Sequence, residues 1–259
     1  MKTIRILRLL IILALATSAS AEIFKFKHNA DSNWENPSNW LNKKEVATKL
    51  PGEKDGVRIS GTRRAAILKN SSQSPVSVKG VTIGQDNNQS NLTIDGSLGG
   101  SLTIKDDFVI GVDRSCKVLF SNDVNVSVGR DFVVGLEDSS KKPSIVDCVL
   151  EGGAIKVSGA LKLGYQYTKK SAPFYDAILT LEGGSLKATN LWITTGYGGA
   201  VYINVKGGKL ILVGDKRAIV EKYVSEGYIT AHMGSPEHVF TLVFDEDSNE
   251  TILETVAAK

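Results

Sequence analysis

The feature that most constrains this chain is an internal repeat that runs through residues 92–213. Two of its copies are LTIDGSLGGSLTIKDDFVIG (92–111) and LTLEGGSLKATNLWITTG (179–196). Each full copy contains three short segments of alternating apolar residues, separated by polar turns that often contain Gly-Gly. A period of this length, built from strand-sized segments, is typical of a solenoid whose units stack on one another. The copies end in glycines spaced 27, 24 and 29 residues apart, namely Gly84, Gly111, Gly135 and Gly164.

The alternation within each segment directs two of three side chains to the same face of a strand. Leu102 and Ile104 would point inward from one copy, and Val126 and Val128 from the next. The pattern predicts an all-β fold, a right-handed single-stranded parallel β-helix (solenoid) with an N-terminal cap and a C-terminal cap of a helix and a β-hairpin. An antiparallel sandwich is the alternative. It accounts for the short strands but not for their constant order.

The chain divides into four parts on this interpretation. Residues 1–21 are a signal peptide, 22–75 are N-terminal cap strands and 76–214 are the β-helix coils. Residues 215–259 are a C-terminal cap, with a helix over 215–227 followed by strands. Caps are expected because the ends of a solenoid expose unpaired strand edges and an open apolar core.

Several residues of the two caps have predicted roles. Asp215 is placed to cap the helix, and Gly227 suits the position just after its end. Trp34 and Trp40 flank an Asn-Pro-Ser turn. They either plug the N-terminal end of the core or stack on sugar rings, and the sequence leaves both interpretations open.

The N-terminal segment predicts where the protein is located, and the charge balance limits the partners it could bind. Residues 1–21 combine a basic start, the apolar run 9–16 and a small-x-small cleavage site before Glu22. The run is too short to span a bilayer, so no transmembrane segment is expected in the mature chain. Three of the 31 basic residues lie in the signal, which leaves 28 against 28 acidic residues. This balance argues against nucleic-acid binding. The signal pattern of residues 1–21 predicts a secreted or extracytoplasmic product, including one held at the cell surface.

The two cysteines, Cys116 and Cys148, lie in neighbouring copies but not at matching positions. Export permits a disulfide between them. Two small buried thiols fit the sequence equally well, so the pairing stays open.

Three stretches resemble a known group of proteins. They are the repeat block, SNWENPSNW (32–40) with PGEKDGVRI (51–59), and VGDKRAIVEKYVSEGYITAHMG (213–234). Together they look like secreted bacterial parallel β-helix (β-solenoid) proteins, many of which end in a Pro-Glu-Pro sorting tail. The group is mostly uncharacterised, so the resemblance implies the architecture and an extracytoplasmic location but no reaction. The tail itself does not occur in this sequence, which ends in ETVAAK.

The corner after each copy-ending glycine is where the copies differ in length. In a solenoid such insertions collect on one side and often form the binding face. Two successive insertions contain aromatic and basic residues suited to stacking on sugars, although the rings could instead pack over the backbone of their own loops. The predicted binding residues are Tyr165, Tyr167, Phe174, Tyr175, Tyr197, Lys169 and Lys170.

A second candidate is a group of charged residues at one turn of the repeat, Asp106, Asp107, Arg130 and Asp131. β-Helix enzymes that cleave acidic polysaccharides need clustered acids, often with calcium, and a nearby Lys or Arg. Solvated turns are the simpler account of these residues. No zinc spacing, nucleophile motif or phosphate loop is present, so no catalytic residue or metal ligand is assigned.

Two functions follow from these observations. The first is a secreted, non-catalytic structural or adhesive solenoid at the cell surface or in extracellular matrix, with a glycan or surface protein as partner. The alternative is a polysaccharide lyase or glycoside hydrolase on a β-helix scaffold. No cofactor is expected for the first function, and calcium is considered only for the alternative.

Overall fold

A computed structural model describes residues 21–27, 31–60, 65–69, 75–85, 89–112, 115–137, 144–166, 175–194 and 199–258. The predicted signal peptide 1–21 lies outside these residues, apart from Ala21. Strands make up 57% of the structure and wind into a β-solenoid of about five turns.

The strands are short, as the three-segment repeat predicts. The N-terminal strands are β1 Ile23–Phe26, β2 Trp40–Asn42, β3 Glu45–Val46, β4 Gly56–Ile59 and β5 Ala66–Leu68. Those of the predicted coils are β6 Val76–Val78, β7 Gly80–Ile83, β8 Ser90–Asp95, β9 Ser101–Ile104, β10 Phe108–Ile110, β11 Cys116–Ser121, β12 Asn125–Val128, β13 Phe132–Glu137, β14 Ser144–Leu150, β15 Ala154–Val157, β16 Ala160–Gln166, β17 Tyr175–Leu181, β18 Ser185–Ala188, β19 Asn190–Ile193, β20 Val201–Val205 and β21 Lys209–Val213. The C-terminal elements are helix α1 Arg217–Ser225 and strands β22 Ile229–Ala231, β23 His238–Asp245 and β24 Glu250–Ala257. Single-turn 3-10 segments lie at Pro37–Asn39, Gly96–Leu98 and His232–Gly234.

These strands form three sheets, one for each segment of the repeat. Sheet A has the order β19-β16-β13-β10-β7-β4-β1-β2-β3, sheet B the order β22-β20-β17-β14-β11-β8-β5, and sheet C the order β23-β24-β21-β18-β15-β12-β9-β6. Neighbouring strands of successive coils run parallel, so that Val126 lies beside Leu102 on one side and Ile155 on the other. This pairing confirms the parallel β-helix, and the antiparallel sandwich is wrong.

The core is the stack of inward side chains that the alternation predicts. Leu102, Ile104, Val126 and Val128 are all buried. Aromatic rings stack at the same place in successive coils, because equivalent positions of parallel strands lie about 4.8 Å apart. Phe108 and Phe132 pair across β10 and β13 with ring centroids 5.1 Å apart and nearly parallel planes. The apolar ladder therefore continues from coil to coil.

Parallel pairing begins earlier than residue 76. Strand β4 lies between β1 and β7, and β5 pairs with β8, all in parallel. The segment predicted as a cap thus already contributes strands to the first coil. At its end, Trp34 and Trp40 are buried and meet edge to face with centroids 4.7 Å apart, and Trp40 Nε1 donates to the Trp34 carbonyl. Both tryptophans plug the core, and their sugar-stacking interpretation is wrong.

The C-terminal cap has the predicted order of elements. Helix α1 begins two residues later than expected, and Asp215 Oδ1 accepts a 3.2 Å hydrogen bond from Arg217 N, the first residue of the helix. Gly227 follows the helix with φ +78°, as expected for this position. Strands β23 and β24 form the hairpin, and β24 pairs antiparallel with β21. The hairpin therefore extends sheet C beyond the last coil.

Both cysteines are buried free thiols. Cys148 lies beside Val118, two residues along β11 from Cys116. An offset of two residues between adjacent parallel strands places the two Cα atoms about 8 Å apart. This separation exceeds the usual reach of a disulfide, about 7 Å. The buried-thiol interpretation fits this register.

Candidate ligand-binding face

Each of the seven parallel strands of sheet A directs one side chain toward the outward face of the sheet. In each strand two residues that point into the core flank a single residue, and alternation directs that residue outward. We call this row the outer column of sheet A. Each member pairs with the next on the adjacent strand, in the order Lys25, Arg58, Thr82, Val109, Val133, Lys162 and Trp192.

Trp192 is the most unusual member of this column, because 59% of its surface is exposed. Its neighbours Leu191 and Ile193 are buried and anchor strand β19 in the core. The Tyr223 hydroxyl of α1 accepts a 3.2 Å hydrogen bond from Ile193 N, which secures the strand from the capped end. Trp192 is therefore a large aromatic side chain on a rigid strand, facing solvent.

Lys162 lies beside Trp192 in the register of sheet A. Its Nζ atom is 2.6 Å from Asp131 Oδ2 and 4.8 Å from the centroid of the Tyr165 ring. A cation over an aromatic face is attracted by the ring quadrupole. The ion pair and this contact together restrict the Lys162 side chain, which is only 20% exposed. Trp192, Lys162, Asp131 and Tyr165 form a group that we call the aromatic cluster.

The predicted acid group also lies on this side of the solenoid. Asp107 Oδ1 accepts a 3.1 Å hydrogen bond from Asp131 N, and Asp131 Oδ1 accepts a 2.9 Å hydrogen bond from Ala160 N. Arg130 Nε lies 3.8 Å from Asp107 Oδ1. Each of the two carboxylates thus ties its own turn to the backbone of the next coil. Asp107 and Asp131 therefore connect successive coils by side-chain to backbone hydrogen bonds.

The electrostatic state of Asp131 follows from these contacts. Burial raises the pKa of its carboxyl, but the hydrogen bonds from Lys162 and Ala160 N and the charges of Lys162 and Arg130 outweigh burial. The net pKa lies below its ordinary value. Because its pKa is lowered, the Asp131 carboxyl is ionised at neutral pH and has no proton to donate. Both of its oxygens accept hydrogen bonds, one from Ala160 N and the other from Lys162 Nζ.

The other predicted binding residues are placed as follows. Tyr175 is the first residue of β17, and its side chain lies outside the described part of the structure. Of the predicted binding residues, Tyr165 alone has a described side chain, and the structure brings it to Lys162. The residues that lie outside the described ranges altogether are Tyr167, Lys169, Lys170, Phe174 and Tyr197.

Trp192 was missed by the sequence reasoning, which looked for aromatic residues in the corner insertions. Its signal is the pattern Leu191-Trp192-Ile193 in the third segment of a copy. The equivalent middle positions of earlier copies hold Thr82, Val109 and Lys162. Alternation alone therefore predicts that the Trp192 ring faces solvent.

The described residues set limits on metal and membrane contacts. Within them, no three His, Cys, Asp or Glu side chains gather in a way that would hold a metal ion. No helix in the described ranges is both long and apolar enough to cross a bilayer.

The fold and this face define a parallel β-solenoid with an aromatic and basic outward surface. No protein-family model matches the chain, and comparisons with curated proteins and with solved structures return no match either.

Proposed function

We propose that this chain is a secreted, non-catalytic structural or adhesive β-solenoid that binds glycans through the aromatic cluster on sheet A. The observation that carries the proposal is Trp192, a residue that is 59% exposed on a strand whose two neighbouring residues are buried in the core. Covering an exposed aromatic side chain contributes about 1.5–3 kcal/mol. A sugar ring offers an apolar face to the indole and hydroxyl groups to its surroundings.

The neighbours of Trp192 supply the polar part of such a site. Lys162 Nζ can donate to a sugar hydroxyl or carboxylate, and the Asp131 carboxylate holds it in place. The Tyr165 ring, below the same ammonium group, presents a second aromatic surface with a hydroxyl at its tip. Small numbers of fixed polar groups beside aromatic surfaces are usual at ligand sites.

Secretion and a bacterial extracellular setting belong to the same proposal. They are supported by the signal-like pattern of residues 1–21 and by the resemblance of the repeat and cap sequences to secreted bacterial β-helix proteins. N-terminal sequencing of the exported protein tests this part. A mature product that begins at Glu22 is expected, and retention of residues 1–21 in the cytoplasm would contradict secretion.

The binding proposal is tested by a glycan array followed by isothermal titration of the glycans that bind. Trp192→Ala is expected to weaken binding at least about tenfold, the equivalent of about 1.4 kcal/mol. Ile145→Ala is the matched control, because Ile145 is a 55% exposed apolar residue on sheet B. Equal binding by the wild type and Trp192→Ala, or equal loss in both variants, would overturn the proposal.

The same glycans test the catalytic alternative. New reducing ends or unsaturated products, lost in Asp131→Asn, would indicate a lyase or hydrolase. Asparagine keeps an oxygen that can accept the hydrogen bond from Ala160 N, so this contact between coils is retained. We expect saturable binding without products.

A further inference from the structure

A groove opens on sheet A at the end opposite the aromatic cluster. Its volume is about 380 Å³, within the range of small-molecule sites, about 300–1,000 Å³. Gly56 and Gly80 lie side by side on β4 and β7 and line the groove. Ile23, Arg58, Lys79 and Asp106 are among the residues that line it as well. The absence of two neighbouring side chains therefore leaves a gap on this face.

Neither packing nor backbone conformation requires these two glycines. A Cβ atom would lie 3.7 Å from its nearest neighbour at Gly56 and 3.5 Å at Gly80, which are ordinary contacts. Neither residue is among the glycines with positive φ. Gly153, by contrast, has φ +80° and a Cβ position that overlaps another turn. The space above Gly56 and Gly80 is thus not explained by the fold.

The groove carries two cations for which the described part of the chain supplies no ion pair. Within the described residues, neither Arg58 nor Lys79 makes an ion pair, and the Asp106 carboxylate has no hydrogen-bond partner. The other acid that lines the groove, Glu22, lies 3.5 Å from Lys49 Nζ. Arginine presents a planar fork of donors that matches a carboxylate or a sulfate. Arg58 and Lys79 therefore suit an anionic group, and Asp106 can accept from hydroxyls.

The groove and the aromatic cluster lie on one face. Arg58 and Trp192 belong to the same outer column, separated by five interstrand spacings, or about 24 Å. Thr82 itself lines the groove. The column members between Thr82 and Lys162 are Val109 and Val133, which have short side chains, and that of Val133 is buried. No long side chain of the column interrupts the path from the groove to Lys162.

From this placement we infer that sheet A binds an extended anionic polysaccharide whose chain runs along the solenoid axis. An acidic sugar, carrying a carboxylate or a sulfate, occupies the Gly56–Gly80 groove, and another sugar ring stacks on Trp192. The inference rests on the proposed glycan-binding function and adds the substrate class and a second subsite.

The test is isothermal titration of the full-length mature protein with oligogalacturonate, a sulfated galactan oligosaccharide of similar length and a neutral oligosaccharide. Arg58→Gln is expected to weaken binding of the acidic ligand at least about tenfold and to leave the neutral ligand unaffected. Gly80→Val, which fills the groove from a position with room for a Cβ, should weaken acidic ligands too. Lys156→Gln, an exposed lysine on sheet C, is the matched control.

The outcomes separate the inference from the proposed function. If Trp192→Ala weakens binding but Arg58→Gln and Gly80→Val do not, the groove is not a subsite and the inference fails, while the glycan-binding function stands. If Trp192→Ala has no effect, the proposed function fails. A preference for oligogalacturonate identifies a carboxylate in the groove, and a preference for the sulfated ligand identifies a sulfate. Equal weakening by Lys156→Gln and Arg58→Gln would indicate only general charge attraction and would overturn the inference.

Discussion

Gly153 tests whether the turns of successive coils stack in direct contact. This glycine has φ +80°, and a Cβ atom on it would lie 2.0 Å from the Val124 carbonyl oxygen and 2.5 Å from Val124 N. The same carbonyl accepts a 2.8 Å hydrogen bond from Ala154 N, which links the two coils. Gly153→Ala must therefore displace one turn from the other. Gly214 is the matched control, because it also has φ +80° but no atom within 4 Å of its Cβ position.

The expected loss of stability in each variant follows from the surroundings of the substituted glycine. Placing alanine in the left-handed region costs about 1–2 kcal/mol at either position. Only Gly153→Ala also breaks the hydrogen bond between Ala154 N and Val124 O, and leaving such groups buried without partners adds about 1–3 kcal/mol. The free energy of unfolding should therefore fall by about 2–5 kcal/mol in Gly153→Ala, against about 1–2 kcal/mol in Gly214→Ala.

Urea unfolding followed by circular dichroism measures this difference. In a chain of this size, each kcal/mol also shifts the Tm by about 2–4 °C, so thermal unfolding gives a second reading. Equal losses in Gly153→Ala and Gly214→Ala would refute the reasoning, because they would show that the turns of these coils do not touch.

Two further predictions concern ionisable groups in the coils. Since the folded-state pKa of Asp131 is lowered, its stabilising contribution is present above the unfolded pKa of about 3.9 and is lost as pH falls through the folded value. The wild type should therefore exceed Asp131→Asn in urea stability at neutral pH, with a gap that closes in acid; a pH-independent gap would contradict this. Burial raises the pKa of the Cys116 and Cys148 thiols, so a thiol reagent should modify neither in the folded protein and both in denaturant. Rapid labelling of the native protein would contradict their burial.

The coils could be predicted from the sequence because each copy repeats the same alternation of inward and outward residues. Alternation marks Phe108 and Phe132 as inward residues, and stacking at a constant period places them in one column. The start of the first coil was harder to predict, because β4 and β5 follow segments without the repeat. Their parallel pairing depends on contacts with β7 and β8 rather than on local pattern.

The candidate face was predicted only in part. Tyr165 was named from its corner, but its cation contact comes from Lys162, three residues away, whose position depends on Asp131 of the preceding coil. The role of Asp131 is ambiguous in the sequence, because a carboxylate at a turn can be catalytic, can be solvated or can form a hydrogen bond to the next coil. Its hydrogen bond to Ala160 N, 29 residues along the chain, decides its structural role. Such contacts across coils depend on the exact register of the winding, which local sequence does not specify.

Tryptophan fluorescence tests the central proposal most directly, because the three tryptophans occupy two kinds of environment. Trp34 and Trp40 are buried, and Trp192 is 59% exposed. A soluble quencher such as acrylamide should therefore act mainly on Trp192. Adding an acidic oligosaccharide is predicted to shift the exposed emission to shorter wavelength and to protect it from quenching, and both changes should vanish in Trp192→Phe. A ligand that binds by titration yet leaves the quenching of Trp192 unchanged would contradict glycan binding at this face.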